Sequence, residues 1–240
     1  MIEDVAFIAY SVRDVPRAVA FYRDVLGLEI GRTFNEGFVE FDVGASAFAI
    51  DGASPGYEPG TCTGVNFEVS DVAAVRERLA AFGVEVSAVY EFPACSVCFA
   101  TDPDGNRFAL HRRRTSNGEF QLAFAGIPVV DYPGAIDWYS RLFDRPPDVV
   151  VREDAEAMWR LTATAWVYVV RDAGRAGRAL ATILLPDLDA FLTAVAGRGI
   201  APPNIETAPG LFRRAAFVDA EGNSVAFGER LDSPKVPALE

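Results

Sequence analysis

The chain of 240 residues is one module written twice. Residues 12–27 read VRDVPRAVAFYRDVLG and residues 129–144 read VVDYPGAIDWYSRLFD; they share the frame V-x-D-x-P-x-A-[VI]-x-[FW]-Y at an offset of 129 − 12 = 117. DPDGNRFAL at 102–110 matches DAEGNSVAF at 219–227 at the same offset, 219 − 102 = 117. Between them, SDVAAV at 70–75 matches PDLDAF at 186–191, with 186 − 70 = 116. Three blocks in one order at nearly one offset constrain the fold more than any local pattern, because whatever folds the first copy must also fold the second. The modules are expected at 1–114 and 119–230, joined by the polar stretch 115–118, with a loose tail at 231–240.

Each module carries the same coarse plan. Residues 4–12 alternate tolerably as a strand. Asp14 then suits a helix N-cap, Pro16 is tolerated in the first turn, and Gly27 closes the helix. Val15, Ala18, Val19, Tyr22, Val25 and Leu26 recur at helical spacing. Strands follow near 28–34, 37–43 and 46–51, then a Gly/Pro-rich connector and a strand beginning near Gly64. Ser70 or Asp71 caps a second helix, and strands near 85–91, 95–101 and 106–112 complete the module. The second module predicts helices near 132–143 and 187–198. The fold class is α+β, with βαβββ twice per module.

Composition narrows the function. The 22 Lys+Arg and 34 Asp+Glu leave a net charge of −12, which argues against a nucleic-acid partner, since phosphate contacts need clustered cations. The run His111-Arg112-Arg113-Arg114 is too short to change that. The start MIEDVAFIAYSVRDV lacks the cationic flank of a signal peptide, and no apolar run reaches the roughly 18–20 residues of a spanning helix, so no membrane partner and a cytoplasmic location are expected. Three cysteines cannot all pair within the chain. Cys95 and Cys98 form a CxxC that could be redox-active or bind zinc; without a second pair, the strand-like CSVCFA reads better as reduced cysteines filling space.

V-x-D-x-x-x-A-x-x-F-Y-x-x-x-L-G at 12–27, F-x-x-D-P-D-G-N-x-x-x-L at 99–110 and the capping Asp71 together resemble the vicinal oxygen chelate superfamily, also called the glyoxalase/bleomycin-resistance/dioxygenase family. The second module matches more loosely, keeping D-x-E-G-N at 219–223. The resemblance covers nearly the whole chain. It implies paired βαβββ units whose sheets curl around a cup, with helices outside and a ligand in the concavity. It also implies a divalent metal, whose ligand positions correspond here to Phe7, Gly64 and Ala109, and in the second copy to Phe124, Leu180 and Ala226. None of these six side chains offers a donor to a divalent cation. No metal and no cofactor are therefore expected.

Strand alternation assigns faces, if the former ligand positions point inward. Phe7, Ala9, Ser11, Gly64, Asn66, Glu68, Arg107, Ala109 and His111 then line the cup. Val65, Phe67, Val69, Phe108 and Leu110 face the helices. The second module contributes Phe124 and Gly126, then Leu180, Thr182 and Leu184, then Ser224, Ala226 and Gly228, with Trp159, Trp166 and Tyr168 as further candidates. Glu68, Arg107 and His111 could form an acid/base or anion-binding set, histidine being the side chain whose ordinary titration lies nearest neutrality. The plainer reading is a Glu–Arg ion pair and a strand-end histidine facing solvent. Phe7 and Phe124 either stack on a flat ligand or plug an unused cup, and Glu40 and Asp42 read as a solvated strand edge.

Three functions remain. The first is a metal-free protein that binds a hydrophobic or aromatic small molecule, for resistance or sequestration, as the resemblance to the bleomycin-resistance branch implies. The second is a metal-independent isomerase, cyclase or lyase on the same scaffold. The third is a metal-dependent lyase or dioxygenase, which the lone histidine makes the weakest. The partner is a small molecule, and the chain is a monomer or homodimer. The near-equal modules favour pairing within the chain around one shared cup, with a second, weaker groove; exchange across a dimer is the alternative.

Overall fold

The structure is a computed structural model that describes residues 4–44, 46–52, 58–114, 121–163, 165–209 and 212–231. Four βαβββ units follow one another. The first holds β1 (Asp4–Ser11), α1 (Val15–Ala20), β2 (Glu29–Asn35), β3 (Phe38–Val43) and β4 (Ser46–Asp51). The second holds β5 (Val65–Glu68), α2 (Val72–Ala81), β6 (Tyr90–Glu91), β7 (Cys95–Thr101) and β8 (Arg107–Arg113). The third holds β9 (Gln121–Val129), α3 (Tyr132–Phe143), β10 (Val149–Arg152), β11 (Glu156–Arg160) and β12 (Trp166–Arg171). The fourth holds β13 (Leu180–Leu184), α4 (Leu188–Gly197), β14 (Ile205–Ala208), β15 (Phe212–Val218) and β16 (Ser224–Arg230).

An aspartate caps every helix. Asp14, Asp71, Asp131 and Asp187 each accept a hydrogen bond from the backbone N–H three residues on. Each cap satisfies a donor the helix cannot and contributes about 1 kcal/mol. The first helix departs from the expected form. After α1 the backbone widens into a π-helical turn, Phe21–Leu26, closed by the left-handed Gly27. The expected strand near 85–91 is also shorter. Val86 bridges Ala100 but Tyr90 pairs with Val97, one residue out of register, and the Ser87 hydroxyl takes the bond from the Phe99 N–H. Only Tyr90–Glu91 remains a strand.

The four units do not pair module by module. One eight-stranded sheet runs β14-β15-β16-β13-β1-β4-β3-β2, and the other runs β10-β11-β12-β9-β5-β8-β7-β6. Each sheet joins a half of the first repeat to a half of the second. The outer units form the first sheet through the antiparallel β1–β13 seam, and the inner units form the second through β5–β9. There are thus two curled sheets of equal strand number, and both repeats contribute to each. Closing both sheets within the chain leaves each seam strand paired on both sides, so no seam is an open edge.

The helix-facing positions form the core. Val65, Phe67, Val69, Phe108 and Leu110 are buried there as expected, with their counterparts Ile183, Val225 and Phe227. The motif residues stitch each repeat together. Tyr22, which follows α1, donates to Asp102 at 2.9 Å, and Asp102 accepts the N–H groups of Asp104 and Asn106. The Asn106 side chain donates to Asp102 and the Ser11 carbonyl and accepts from Gly60 and Cys62. The second copy repeats the network: Tyr139 donates to Asp219 at 2.9 Å, and Asn223 donates to Asp219 and the Pro128 carbonyl. Gly105 and Gly222 turn these loops at φ 99° and 100°, where a side chain would be strained. No helix among the described residues is long and apolar enough to cross a membrane.

Candidate functional site

Each sheet presents a concave face opposite its helices, and the six positions where the resemblance implies metal ligands divide between the two. Phe7, Leu180 and Ala226 lie on the adjacent strands β1, β13 and β16 of the first sheet, where Phe7 pairs with Thr182 and Thr182 with Ala226. Phe124, Gly64 and Ala109 lie at the centre of the second, where Asn66 pairs with both Phe124 and Ala109. Each set thus takes one position from one repeat and two from the other. Neither set contains a metal donor, and no cluster of three His, Cys, Asp or Glu exists among the described residues. These donor sets do not fit a divalent cation.

The second sheet gathers most of the candidates. Asn66 and Glu68 of β5, Arg107 and His111 of β8, Phe124 of β9, and Trp166 and Tyr168 of β12 share its concave side. Phe7 belongs to the first sheet. Trp159 belongs to neither cup. It pairs with Val167, one residue out of phase with Trp166 and Tyr168, so it points to the helices. There it is 0% exposed, against Tyr139 and Phe143. Phe99, Arg113 and Met158, in register with Ala109, Cys95 and Tyr168, complete the second cup. Sequence reading passed over them, although the period-2 alternation that placed Ala109 extends to each.

Two glycines set the floor of this cup. Gly126 donates its N–H to the Gly64 carbonyl at 2.7 Å. A Cβ on Gly64, which has φ 101°, would meet the Gly126 oxygen at 2.2 Å. A Cβ on Gly126 would meet the Tyr168 ring at 2.4 Å. The missing side chains let the Tyr168 ring lie against the backbone where the resemblance implies a metal. Its hydroxyl meets the Asn66 amide at 3.2 Å, and burial pushes the phenol above its ordinary range, so it stays neutral. The Phe124 ring stands at 6.3 Å from Tyr168 and edge-on to His111 at 5.1 Å.

Glu68 is 0% exposed and His111 8% exposed. The plainer reading of these two is corrected here. Glu68 pairs not with Arg107 but with His111 Nδ1 at 2.9 Å, with the Arg113 N–H at 2.7 Å and with the Arg113 guanidinium at 3.4 Å. A buried carboxylate needs such partners. The Glu68 carboxyl fixes the orientation of the imidazole through Nδ1, and no hydrogen bond among the described residues uses Nε2. Arg107 instead places its guanidinium over the Phe99 ring at 4.2 Å.

The first cup is built of smaller groups. Ala9 stands where Gly126 stands in the second, Ala47 and Ala49 replace Trp166 and Tyr168, and Leu184 and Gly228 replace Glu68 and His111. Glu40 pairs with Ala49 on this face. It is half-buried rather than a solvated edge, and burial raises its carboxyl above the usual range against the nearby Arg32 and Arg230. The CxxC holds no joint site. Cys95 pairs with Arg113 on the concave side and Cys98 with Leu110 on the helix side, so the thiols point to opposite faces of β7. Burial pushes Cys62 and Cys98 up to about 11.

The model of the Glyoxalase/Bleomycin resistance protein/Dioxygenase superfamily matches residues 5–110. A glyoxalase/bleomycin resistance protein from Catenulispora acidiphila is 34% identical over 45% of this chain and 96% of its own, with a TM-score of 0.43. A putative dioxygenase from Bacillus subtilis is similar over 95% of this chain and 86% of its own, at 15% identity and a TM-score of 0.73. Glyoxalase I from Zea mays is similar over 94% of this chain and 92% of its own, at 19% identity and a TM-score of 0.69. The two latter structures share the fold across both repeats. No curated protein matches the chain.

Proposed function

Since the chain belongs to the glyoxalase/bleomycin resistance protein/dioxygenase superfamily, we propose that it binds an aromatic or hydrophobic small molecule in the cup of its second sheet, without a metal. The observation that carries this reading is the sharing of one concave face by Phe99, Phe124, Trp166 and Tyr168 with the buried Glu68–His111 pair. Aromatic walls with a few fixed polar groups suit a flat ligand: the rings supply stacking area and the polar atoms set its orientation. Tyr168 and Asn66 supply a hydroxyl and an amide at the floor, and His111 supplies Nε2 at the wall. The first cup has alanines at the corresponding wall positions and offers less to stack on. Titration with a panel of polycyclic aromatic compounds, followed by tryptophan fluorescence, tests the assignment. Saturable quenching that disappears in Trp166→Phe and persists in Trp138→Phe is expected; saturable quenching that survives Trp166→Phe would place the ligand elsewhere.

The 2.9 Å contact between Glu68 and His111 Nδ1 favours a second reading, a metal-independent enzyme that moves a proton. An imidazole whose orientation is fixed by a carboxylate is the arrangement a general base needs. Its signature is exchange of solvent deuterium into the acidic C–H of an aryl ketone, followed by NMR. Exchange abolished by His111→Gln supports proton transfer, and exchange no faster than in buffer leaves binding alone.

A further inference from the structure

Where the second cup ends, at the start of β8 and the end of β12, lies a cavity of about 240 Å³. Thr61, Thr101, Arg107, Arg175 and Arg178 line it. Three arginines thus line one cavity in a chain whose net charge is −12. Among the described residues one of them pairs with a carboxylate: Arg175 meets Asp172 at 2.6 Å. Arg178 donates to the Thr61 hydroxyl at 3.2 Å. Arg107 lies over Phe99, and neither it nor Arg178 forms an ion pair among the described residues. Burial, and then the charge of Arg175, lowers the Arg107 guanidinium below its ordinary value, against the opposing charge of Asp172. The cavity adjoins the cup through Arg107, which also lies within electrostatic reach of Tyr168.

We infer that this cavity is an anion site that receives a carboxylate or phosphate group of the ligand while its aromatic body occupies the cup. The inference rests on the cup reading for the body of that ligand but not for the anion. Guanidinium forks match planar carboxylates and phosphate oxygens, and a cavity of this size suits a head group rather than a whole ligand. The charge excess is particular to one cup. At the corresponding positions of the other, Ser224 stands for Arg107 and Glu58 for Arg175 (175 − 117 = 58), whereas Arg178 and its counterpart Thr61 (178 − 117 = 61) touch each other and line the same cavity.

Calorimetric titration at constant ionic strength separates the two parts. Inorganic phosphate probes the arginines alone, 2-naphthol the cup alone, and 2-naphthoate and 2-naphthyl phosphate both. The anionic naphthyl compounds are expected to bind at least about tenfold tighter than 2-naphthol. Arg175→Gln and Arg178→Gln should each remove about tenfold of that gain and leave 2-naphthol binding unchanged, with folding checked by circular dichroism. The better of the two anionic ligands identifies the head group. Equal binding of all three naphthyl compounds, or a gain untouched by both substitutions, overturns the anion site and leaves the cup reading standing. Phosphate binding that Arg178→Gln abolishes, together with no binding of 2-naphthol, supports the anion site and overturns the cup reading instead.

Discussion

The two cups share a backbone and differ in what faces inward. Leu184 and Gly228 of the first correspond to Glu68 and His111 of the second, and Ala47 and Ala49 to Trp166 and Tyr168. On the helix side the copies stay alike: Phe67 and Phe108 answer to Ile183 and Val225, all buried and apolar. The Tyr–Asp–Asn network recurs with matching distances of 2.9 Å at its Tyr–Asp bond. The duplicated residues therefore secure the fold, while most positions at which the copies diverge in character face the concave sides.

The largest expected effect tests the shared framework. Asn106→Ala and Asn223→Ala each strip partners from several buried polar groups and should each cost about 3–5 kcal/mol of stability in urea unfolding. Near-equal losses support equivalent stitching. A loss below about 1 kcal/mol in only one copy breaks the equivalence.

Exchanging the cups' inner residues comes next. Glu68→Leu, which installs the first cup's residue, leaves His111 and the Arg113 N–H without their acceptor and should cost about 2–4 kcal/mol. Adding His111→Gly should cost less than the sum of the two single changes, by about 1–3 kcal/mol. Strict additivity would show that the pair does not act as a unit. Tyr168→Ala should lose about 2 kcal/mol and abolish aromatic quenching. Ala49→Tyr should cost about 1–3 kcal/mol, because Ala49 is fully buried and has no glycine floor to receive a ring.

Smaller effects sharpen the electrostatic side. The folded-state pKa of Glu40 is raised above its unfolded value, so the folded protein bears a cost once the group ionises, and that cost vanishes below the ordinary glutamate range of about 4.3. Glu40→Gln should thus gain stability relative to the parent as pH rises from about 4 towards 7, and show little difference below it. A gap that narrows with rising pH would contradict the sign. The least perturbing test is alkylation at neutral pH followed by mass spectrometry. Cys62 and Cys98 are buried and pushed up to about 11, so Cys95, half-buried on the concave side, should be modified first. Equal labelling of Cys98 would contradict the opposite orientation of the two thiols.

Much of the fold was legible because its signals are local or repeated. Asp14, Asp71, Asp131 and Asp187 announce helix starts through cap chemistry, and the Asp-Pro-Asp-Gly-Asn turn announces a hairpin through the φ its glycine requires. The cup face followed from strand alternation, which placed Asn66, Glu68, Arg107 and His111 together. The sequence places Trp159 among the candidates as a strand aromatic without a phase; its face depends on where β11 starts, and a one-residue slip reverses it. Of the two readings of Glu68, the structure selects the one with His111, which pairs with it directly between β5 and β8, while Arg107 sits at the strand's far end. The arginine cavity was missed because Arg175 and Arg178 lie in a loop, where no periodicity reports direction.

The amino-acid sequence determined that there are two copies, four βαβββ units, helices with aspartate caps and ligand positions without donors. Each of these depends on spacing along one chain. Which halves pair was decided only in the tertiary structure. The seams β1–β13 and β5–β9 join strands far apart or across the linker, and either pairing would bury the same apolar faces, so periodicity cannot choose between them. That choice separates Phe7 from Phe124, sends the six former ligand positions to two different cups, and brings the loop arginines to Arg107.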